Sequence, residues 1–379
     1  MSCASSEFGG KVEREIVCAR AWGQIVTWDE QSMYLRNSWY VVAWAKELGD
    51  KPLAITVLDE PLVVFRDGQG LAAVLEDRCA HRHLPLSMGC AKGGGIQCGY
   101  HGMVFDRDGI CTHVPSQSAV PPRARVRSYP TTERYGWIWA WMGEPAVADE
   151  GLIPDFSMLT SPDFRAVGQT NYVLANYQLL TDNLMELSHV GYVHQSTIGN
   201  PEMTAKGYLT TRRTERGVEV LRLVPDVPSP PTYIKTGVLP VGKNIDRWQV
   251  IDFVAPCFVM IHVGGKEAGK GGLDGNYAGG LNIWVMNAMT PETLTTTHYF
   301  WASVRAHDLD NPLADQLFLS QVGEAFIEDK HVIEAQQRVF NQRPDSWNVA
   351  LRADAGSIES RRVLQTMIEK EQARPIITA

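Results

Sequence analysis

Between Trp39 and about Pro145 the chain alternates short apolar runs with turn-forming residues. The runs are four to six residues long, end at turn signals such as Asp67-Gly68, and cover residues 53–58, 62–65 and 71–75. Apolar runs that are interrupted this often are typical of short antiparallel strands. A final run over 135–142 alternates aromatic and aliphatic residues and is followed by Gly-Glu-Pro. We therefore predict an all-β domain and assign it residues 33–148.

Helical periodicity is strongest after this region. Apolar residues spaced three and four apart predict helices over about 174–190 and over 312–338, with a strand-rich stretch between them. Residues 149–379 are therefore predicted to form an α+β domain in which helices pack on an antiparallel sheet. Residues 1–32 are polar and weakly patterned, and we assign them to an N-terminal arm.

Composition and charge narrow the classes of function. The chain has 35 Lys and Arg against 43 Asp and Glu, a net charge of −8, which offers no general positive field for nucleic acid. We find neither the ~18 apolar residues of a membrane helix nor a signal peptide. Seven cysteines are an odd and low number for this length and fit a reducing compartment. We expect a cytoplasmic protein without nucleic-acid or membrane partners, whose clustered thiols bind metal.

Two cysteines and two histidines form the first candidate site. Cys79-Ala-His81 is followed after 16 residues by Cys98-Gly-Tyr-His101. Two thiolates and two imidazoles can hold a tetrahedral zinc ion, or a [2Fe–2S] cluster with the thiolates on one iron and the imidazoles on the other. The four residues alone leave both possibilities open.

A second candidate site lies on the first predicted helix. Asn183, Glu186 and His189 are three residues apart and form a polar stripe, and His194 follows five residues after His189. Five residues correspond to about 140° around an ideal helix, so both histidines can face one metal only if the helix breaks between them. Gly191 is placed to allow that break.

A carboxylate on the long C-terminal helix completes this second site. Asp329 continues an apolar stripe, where a carboxylate is costly unless it is paired or bound to metal, whereas Glu328 points about 100° away. The stripe consists of Phe318, Val322, Phe326 and Ile333. Two histidines and one carboxylate are the ligand set of non-heme iron oxygenases. The alternative is a surface Asp329 paired with Lys330 or His331.

Together these segments resemble the Rieske non-heme iron oxygenases. The strings Cys-x-His-Arg and Cys-x-Tyr-His-Gly resemble the Rieske loops, and Asn183-Leu-Met-Glu-Leu-Ser-His189 and Phe326-Ile-Glu-Asp-Lys330 resemble the iron-binding segments. The resemblance is strongest to the vanillate and dicamba O-demethylase branch. It implies a [2Fe–2S] cluster and a mononuclear Fe(II) in a helix-grip-like catalytic domain. The cluster would be held by Cys79, His81, Cys98 and His101, and the iron by His189, His194 and Asp329.

The resemblance also implies a reaction and partners. Such a chain is the oxygenase component of a multicomponent monooxygenase that uses O2 for oxidative N- or O-dealkylation of a small aromatic compound, for example an N-alkyl chloroacetanilide herbicide or a methoxyaromatic. Because the chain has no dinucleotide-binding fingerprint, electrons from NAD(P)H must arrive through a ferredoxin, a flavin reductase or both. A homotrimer is expected, in which each cluster serves the iron of the next subunit.

Two residues are assigned to catalysis besides the metal ligands. Glu186 stands where the family has an Asp that links His101 of one subunit to His189 of the next, and it is one methylene longer. Asn183 shares the polar stripe of Glu186 and His189.

The substrate pocket is predicted from the middle strands and the C-terminal helix. We see no Arg or Lys that must face it, which favours a neutral aromatic substrate. The predicted wall residues are Ile251, Phe253, Val285, Asn287, His298 and Leu319. Alternative functions are ring hydroxylation or cis-dihydroxylation, a Rieske electron carrier without catalytic iron, and a structural zinc protein.

Overall fold

The computed structural model describes residues 34–199, 202, 207–344 and 348–373. The predicted N-terminal arm, residues 1–32, lies outside the described residues. No helix in the described ranges combines the length and the apolar character needed to cross a membrane.

The first part of the described chain is all-β, as predicted. Eleven strands form three antiparallel sheets with the orders β1-β11-β10, β2-β3-β4-β9 and β5-β6-β7-β8. Their bounds are β1 Trp39–Trp44, β2 Leu53–Val57, β3 Glu60–Arg66, β4 Ala72–Glu76, β5 Cys90–Lys92, β6 Gly95–Gln97, β7 Val104–Phe105, β8 Cys111–His113, β9 Ser128–Tyr129, β10 Thr131–Arg134 and β11 Trp137–Trp141.

The second part is built on one seven-stranded antiparallel sheet, which confirms the predicted α+β class. Its strand order is β12-β18-β17-β16-β15-β14-β13. The strands are β12 Arg165–Val173, β13 Tyr208–Arg213, β14 Gly217–Pro228, β15 Asn244–Val254, β16 Phe258–Glu267, β17 Leu281–Thr293 and β18 Thr296–Arg305. The described helices are α1 Tyr177–Met185, α2 Val190–Val193, α3 Pro231–Lys235, α4 Pro312–Gln342 and α5 Ala355–Gln372. The division between residues 148 and 149 falls between β11 and β12 and remains a prediction.

The three longer helices pack on different strands of the sheet. Helix α1 packs against β15, β16 and β17, α4 packs against β12 and β18, and α5 packs against β13 and β14. Helix α4 begins at Pro312, and the side chain of the preceding residue, Asn311, accepts a hydrogen bond from the Leu313 amide, as expected for an N-cap residue. Its apolar stripe, including Asp329, is buried against the sheet.

The helix predicted over 174–190 is in fact two helices. The backbone leaves helical geometry at Glu186 (φ −126°, ψ 96°), and α2 starts again directly after His189. The prediction that Gly191 supplies the break is wrong, because Gly191 lies inside α2. The two histidines therefore flank a single helical turn, with His189 at its N-terminal end and His194 at its C-terminal end.

Strand β11 joins the two parts into one core. It lies between β1 and β10, and all five of its side chains are buried, so both of its faces are covered. The Trp139 ring lies 5.4 Å from that of Phe258 in β16, centroid to centroid. One continuous hydrophobic cluster consequently includes side chains of both parts.

Trp139→Ala is expected to lower the free energy of unfolding by about 3–5 kcal/mol, the usual cost of removing a large buried aromatic side chain. Urea unfolding followed by far-UV circular dichroism measures this loss. Tyr208→Ala, on the edge strand β13 with 69% exposure, is the control and should change stability little. A loss below about 1 kcal/mol for Trp139→Ala would contradict the shared core.

Candidate metal centres

The four predicted cluster ligands lie on two loops with the same hydrogen-bond pattern. In each loop the amide of the cysteine, Cys79 or Cys98, donates to the carbonyl five residues ahead, at 2.9 and 2.8 Å. The amide four residues ahead, that of His83 or Gly102, donates back to the cysteine carbonyl at 3.0 and 3.1 Å. These fourth residues both have positive φ, 58° and 73°. The two loops thus share one backbone pattern and present one cysteine and one histidine each, with the histidine two residues after Cys79 and three residues after Cys98.

In these loops the two histidine side chains lie together at the surface, and the two cysteine side chains are buried. The Nδ1 atoms of His81 and His101 lie 3.2 Å apart on exposed rings, whereas Cys79 and Cys98 are buried. Burial raises the pKa of the Cys79 thiol, while hydrogen bonds from the backbone amides of His81 and Arg82 oppose that rise by favouring the thiolate. Two buried sulfurs beneath two exposed imidazoles fit a [2Fe–2S] cluster with its histidine-bound iron at the surface.

The second site brings His189, His194 and Asp329 together from two helices. Asp329 Oδ1 on α4 lies 3.1 Å from His194 Nε2 and 3.5 Å from His189 Nε2. One ligand atom from each of the three residues lies within 4.8 Å of the others. Two imidazole nitrogens and one carboxylate oxygen in one cluster fit a mononuclear iron, and leave the remaining coordination positions to other ligands.

Each imidazole is oriented by a contact of its Nδ1 atom, the ring nitrogen that does not face Asp329. His189 Nδ1 lies 2.6 Å from the Glu186 carbonyl oxygen, and His194 Nδ1 lies 2.7 Å from Glu328 Oε2. Because both partners are acceptors, each Nδ1 carries the proton, and each Nε2 lone pair faces Asp329. The site is thereby prepared to bind a cation through the two Nε2 atoms.

Glu328 is a functional residue that the sequence analysis missed. Its carboxylate accepts hydrogen bonds from Ser196 Oγ and Thr197 Oγ1, both at 3.0 Å, in addition to its contact with His194. Glu328 points about 100° away from Asp329 on the helix, so it reaches Nδ1 of His194 and not the ligand cluster. Its position beside Asp329 was the available signal.

The electrostatics of the site favour a positive charge. Burial alone would lower the pKa of His194, but the carboxylates of Asp329 and Glu328 outweigh it, and the pKa is raised. Asn183 Nδ2 donates to Asp329 Oδ1 at 2.9 Å and fixes the carboxylate in place. Asn183, predicted as catalytic from its polar stripe, therefore contacts a ligand residue directly.

Glu186 lies beside His189, and its carboxylate contacts both Ser188 and His189. Glu186 Oε1 accepts a hydrogen bond from the Ser188 amide at 2.6 Å, and Oε2 is 3.8 Å from His189 Nδ1. Although burial disfavours its charge, the proximity of His189 and the hydrogen bonds from Ser188 lower the pKa of Glu186 to about 2. The carboxylate is thus ionised, and its predicted role as a link between subunits remains a prediction.

A largely apolar cavity adjoins the three ligands. It lies between the sheet, α2 and α4, and aliphatic side chains form most of its wall, among them Ile261, Val263, Ile283, Val285 and Val322. Its polar lining consists of Thr232, Tyr233, Arg247 and Gln249 in addition to Asn183 and the ligands. The expectation of a pocket without a cation is therefore wrong, because Arg247 faces it.

Of the six predicted pocket residues, Val285 alone is among the described residues that line this cavity. Ile251, Phe253 and Asn287 have the same strand parity as the lining residues. Ile251 pairs with the lining residue Ile261 but is itself fully buried, and Phe253 and Asn287 lie farther along β15 and β17. Asn287 there donates to the Val259 carbonyl at 2.9 Å. None of these three residues lines the cavity, so the prediction is wrong for them. For Phe253 and Asn287 the reason is that strand parity fixes the face of the sheet and not the position along the strand.

The prediction is also wrong for His298 and Leu319. His298 projects to the opposite face of the sheet, where its Nε2 lies 3.2 Å from the Thr56 carbonyl oxygen. Leu319 is 38% exposed on α4, one residue after the buried Phe318.

Glu328→Ala is expected to weaken Fe(II) binding at the second site by about 10- to 100-fold, because His194 loses the acceptor that fixes its ring and tautomer. Anaerobic metal titration of the metal-depleted chain, with Co(II) absorption as a second probe, measures this change. Glu324→Ala removes an exposed carboxylate one turn earlier on α4 and is the matched control. Equal affinities for the two variants would show that Glu328 does not act on the site.

Comparison with known families identifies both parts of the chain. Residues 38–130 match the Rieske [2Fe–2S] domain, and residues 173–370 match the vanillate O-demethylase oxygenase C-terminal domain. The first match settles the choice between zinc and [2Fe–2S] in favour of the iron–sulfur cluster.

Relatives extend along nearly the whole chain. The dicamba O-demethylase oxygenase component of Stenotrophomonas maltophilia is 35% identical over 346 residues, 90% of this chain and 99% of the relative. The iron–sulfur subunit of a toluene-4-sulfonate monooxygenase system from Comamonas testosteroni is 33% identical over 352 residues, 89% of this chain and 98% of the relative.

Solved structures are similar as well. Dicamba monooxygenase bound to 3,6-dichlorosalicylic acid superposes with a TM-score of 0.84 at 33% identity, over 90% of this chain and 99% of that one. A structure of the same enzyme with non-heme iron and dicamba gives a TM-score of 0.76 at 31% identity and the same coverage. On these matches in sequence and fold, the chain belongs to the Rieske non-heme iron oxygenases and is an oxygenase component of the vanillate and dicamba O-demethylase branch.

Proposed function

We propose that the chain is the terminal oxygenase component of a monooxygenase system that removes an alkyl group oxidatively from oxygen or nitrogen on a small aromatic compound. The observation that carries this proposal is the presence of two different metal sites in one chain. The histidine ligands of one lie at the protein surface, and the ligands of the other adjoin an apolar cavity. An electron carrier would have no use for the second site.

The surface site is suited to receiving electrons. Cys79, Cys98, His81 and His101 would hold the cluster, which when bound transfers one electron at a time. Because both imidazoles are exposed, the edge of the cluster is within reach of a protein partner. We propose that a ferredoxin, a flavin reductase or both supply these electrons from NAD(P)H.

The inner site is suited to oxidation of a bound aromatic compound. His189, His194 and Asp329 would hold Fe(II), which when bound supplies open positions for O2 and the oxidation of a C–H bond. Asn183 fixes Asp329 and Glu328 fixes His194, so the ligands are held by neighbouring side chains before metal binds. The aliphatic wall excludes water and holds the aromatic ring. Hydroxylation of the carbon beside the heteroatom then allows the alkyl group to leave as an aldehyde.

We further propose a homotrimer in which each cluster serves the iron of the next subunit. Tyr100 and Met88 are 59% and 68% exposed near the cluster loops, which offers apolar area for contact with a second copy. In that assembly Glu186 would lie near His101 of the partner subunit. The cytoplasmic location expected from the cysteine content stays a prediction.

The reaction is tested by the aldehyde that it releases. With a ferredoxin and reductase supplied, the iron-loaded chain should release about one formaldehyde per molecule of vanillate or dicamba consumed, as expected for dealkylation. Asp329→Ala should abolish release while the visible absorption of the iron–sulfur cluster persists, because only the inner site loses a ligand. Asp310→Ala, an exposed carboxylate before α4, serves as the control.

A cis-diol or ring-hydroxylated product without aldehyde would contradict dealkylation and favour ring oxidation. Undiminished turnover by Asp329→Ala would contradict the assignment of the inner site.

A further inference from the structure

A second, smaller cavity adjoins the Asp329 carboxylate, between α1 and α4. Val173 at the end of β12, Leu180 on α1, and Phe326 and Ile333 on α4 form most of its apolar wall. Each of these four side chains is at most 7% exposed, so the cavity lies inside the packed core. Its volume is about 10 Å³, at the lower limit of the space that one water molecule needs. The cavity therefore suits only a very small guest.

Two of the polar side chains at this wall have partners outside the cavity. Tyr299 Oη donates to Asn287 Oδ1 at 2.8 Å, and Lys330 Nζ donates to Glu334 Oε1. A buried water molecule needs two to four polar partners, and cavities lined by apolar groups stay dry and bind apolar guests instead. With Tyr299 and Lys330 engaged elsewhere, the cavity favours an apolar guest over water.

The remaining polar residues lie on the border with the larger cavity. Asn183, Leu184, Phe326 and Asp329 line both cavities, and Asn183 Nδ2 donates to Asp329 Oδ1 at 2.9 Å. The larger cavity reaches the iron ligands from α2 and the middle strands, whereas the small one reaches Asp329 from α1 and β12. The two cavities thus approach one ligand cluster from different sides.

A lysine side chain connects the small cavity with the surface. Lys330 lines the cavity, and its side chain is 26% exposed. Its ammonium group is held by Glu334, which also accepts a hydrogen bond from the Leu174 amide at 2.9 Å. A lysine in this position buries its methylene groups and keeps its charged end near water. The way from the solvent into the cavity therefore runs along methylene groups.

We propose that the small cavity binds O2 and is the route by which O2 reaches the inner iron, separate from the route of the aromatic compound. This inference rests on the proposed function, because it assigns a path to the gas that the reaction consumes. O2 is small and apolar, so it partitions from water into a dry apolar cavity. Rotation of the Lys330 side chain admits it without a movement of the backbone.

A separate route matters once the aromatic compound has bound. A ligand that fills the larger cavity is itself mostly buried and covers the iron ligands from that side. The small cavity stays open to the Asp329 side of the cluster, so the gas can arrive after the compound.

The test follows a gas to the iron and needs no turnover. Nitric oxide is a diatomic gas of nearly the size of O2 that binds ferrous iron. It is mixed with the iron-loaded chain under anaerobic conditions and without reductase. Stopped-flow absorption gives the association rate, and the electron paramagnetic resonance signal of the iron–nitrosyl complex gives the fraction of sites that bind.

Four substitutions compare the two cavities by one methylene group each. Val173→Ile adds this group to the small cavity, and Ile333→Val removes one from it. Val263→Ile and Ile283→Val make the same changes in the larger cavity alone and are the matched controls. Val173→Ile should lower the association rate about tenfold, because one added methylene group overfills so small a space. Ile333→Val should raise the rate about threefold, and the controls should change it by less than about twofold.

The opposite signs distinguish a route from damage to the fold. A disturbed iron site would slow binding or reduce the nitrosyl signal in both small-cavity variants, whereas a route is slowed by filling and accelerated by widening. A rate for Val173→Ile within about twofold of the wild-type rate would overturn the proposal. A decrease in both small-cavity variants, or an equal effect of Val263→Ile, would overturn it as well.

The outcome is separable from that of the proposed function. A nitrosyl signal whose rate does not respond to Val173→Ile would leave the proposed function standing and the gas route wrong. The expected rates without aldehyde release would leave the gas route standing and the reaction wrong. Absence of the nitrosyl signal from the wild-type chain would overturn both, because the inner site would then hold no iron.

Discussion

The catalytic part depends on one carboxylate buried between a long helix and a single helical turn. Asp329 is 6% exposed on α4, and its Oδ1 faces the Nε2 atoms of His189 and His194. A carboxylate at this depth is stable only with compensating donors or a cation. Asn183 supplies one donor, and a metal ion held by His189, His194 and Asp329 would meet the remaining requirement.

The need to place both histidines beside the Asp329 carboxylate constrains the helices and strands around it. Helix α1 must end before Glu186 so that α2 can start after His189, since a continuous helix would turn His194 away from His189. Glu328, the neighbour of Asp329, reaches the far side of His194, so two adjacent residues of α4 hold opposite sides of one imidazole. Arg222 and Arg247 of the sheet donate to the Leu187 and Ile198 carbonyls, before and after this turn. The ligand geometry is thus fixed by both layers of the domain, the helices and the sheet.

The metal ligands were predictable because their chemistry appears in the local sequence. Residue type and spacing single out both Cys-His pairs, and a carboxylate in the apolar stripe of α4 is conspicuous. Helix and strand positions followed from periodicity, although the break at Glu186 was placed too late, because the cost of interrupting a helix is decided by tertiary contacts.

The pocket was far less predictable. Val285 lines the cavity and Asn287, two residues farther along β17 on the same face, does not; strand parity carries no information on that difference. Arg247 was missed for a related reason. A lone arginine in a strand is usually exposed, and its burial follows from the packing of segments distant in sequence, including the Ile198 carbonyl and Tyr233.

The central claim is that one chain holds both an iron–sulfur cluster and a mononuclear iron. Iron and acid-labile sulfide per chain, measured on anaerobically purified protein after addition and removal of excess ferrous iron, test it most directly. The account predicts about three irons and two sulfides per chain. About two irons with two sulfides, unchanged by ferrous iron, would show that His189, His194 and Asp329 hold no metal.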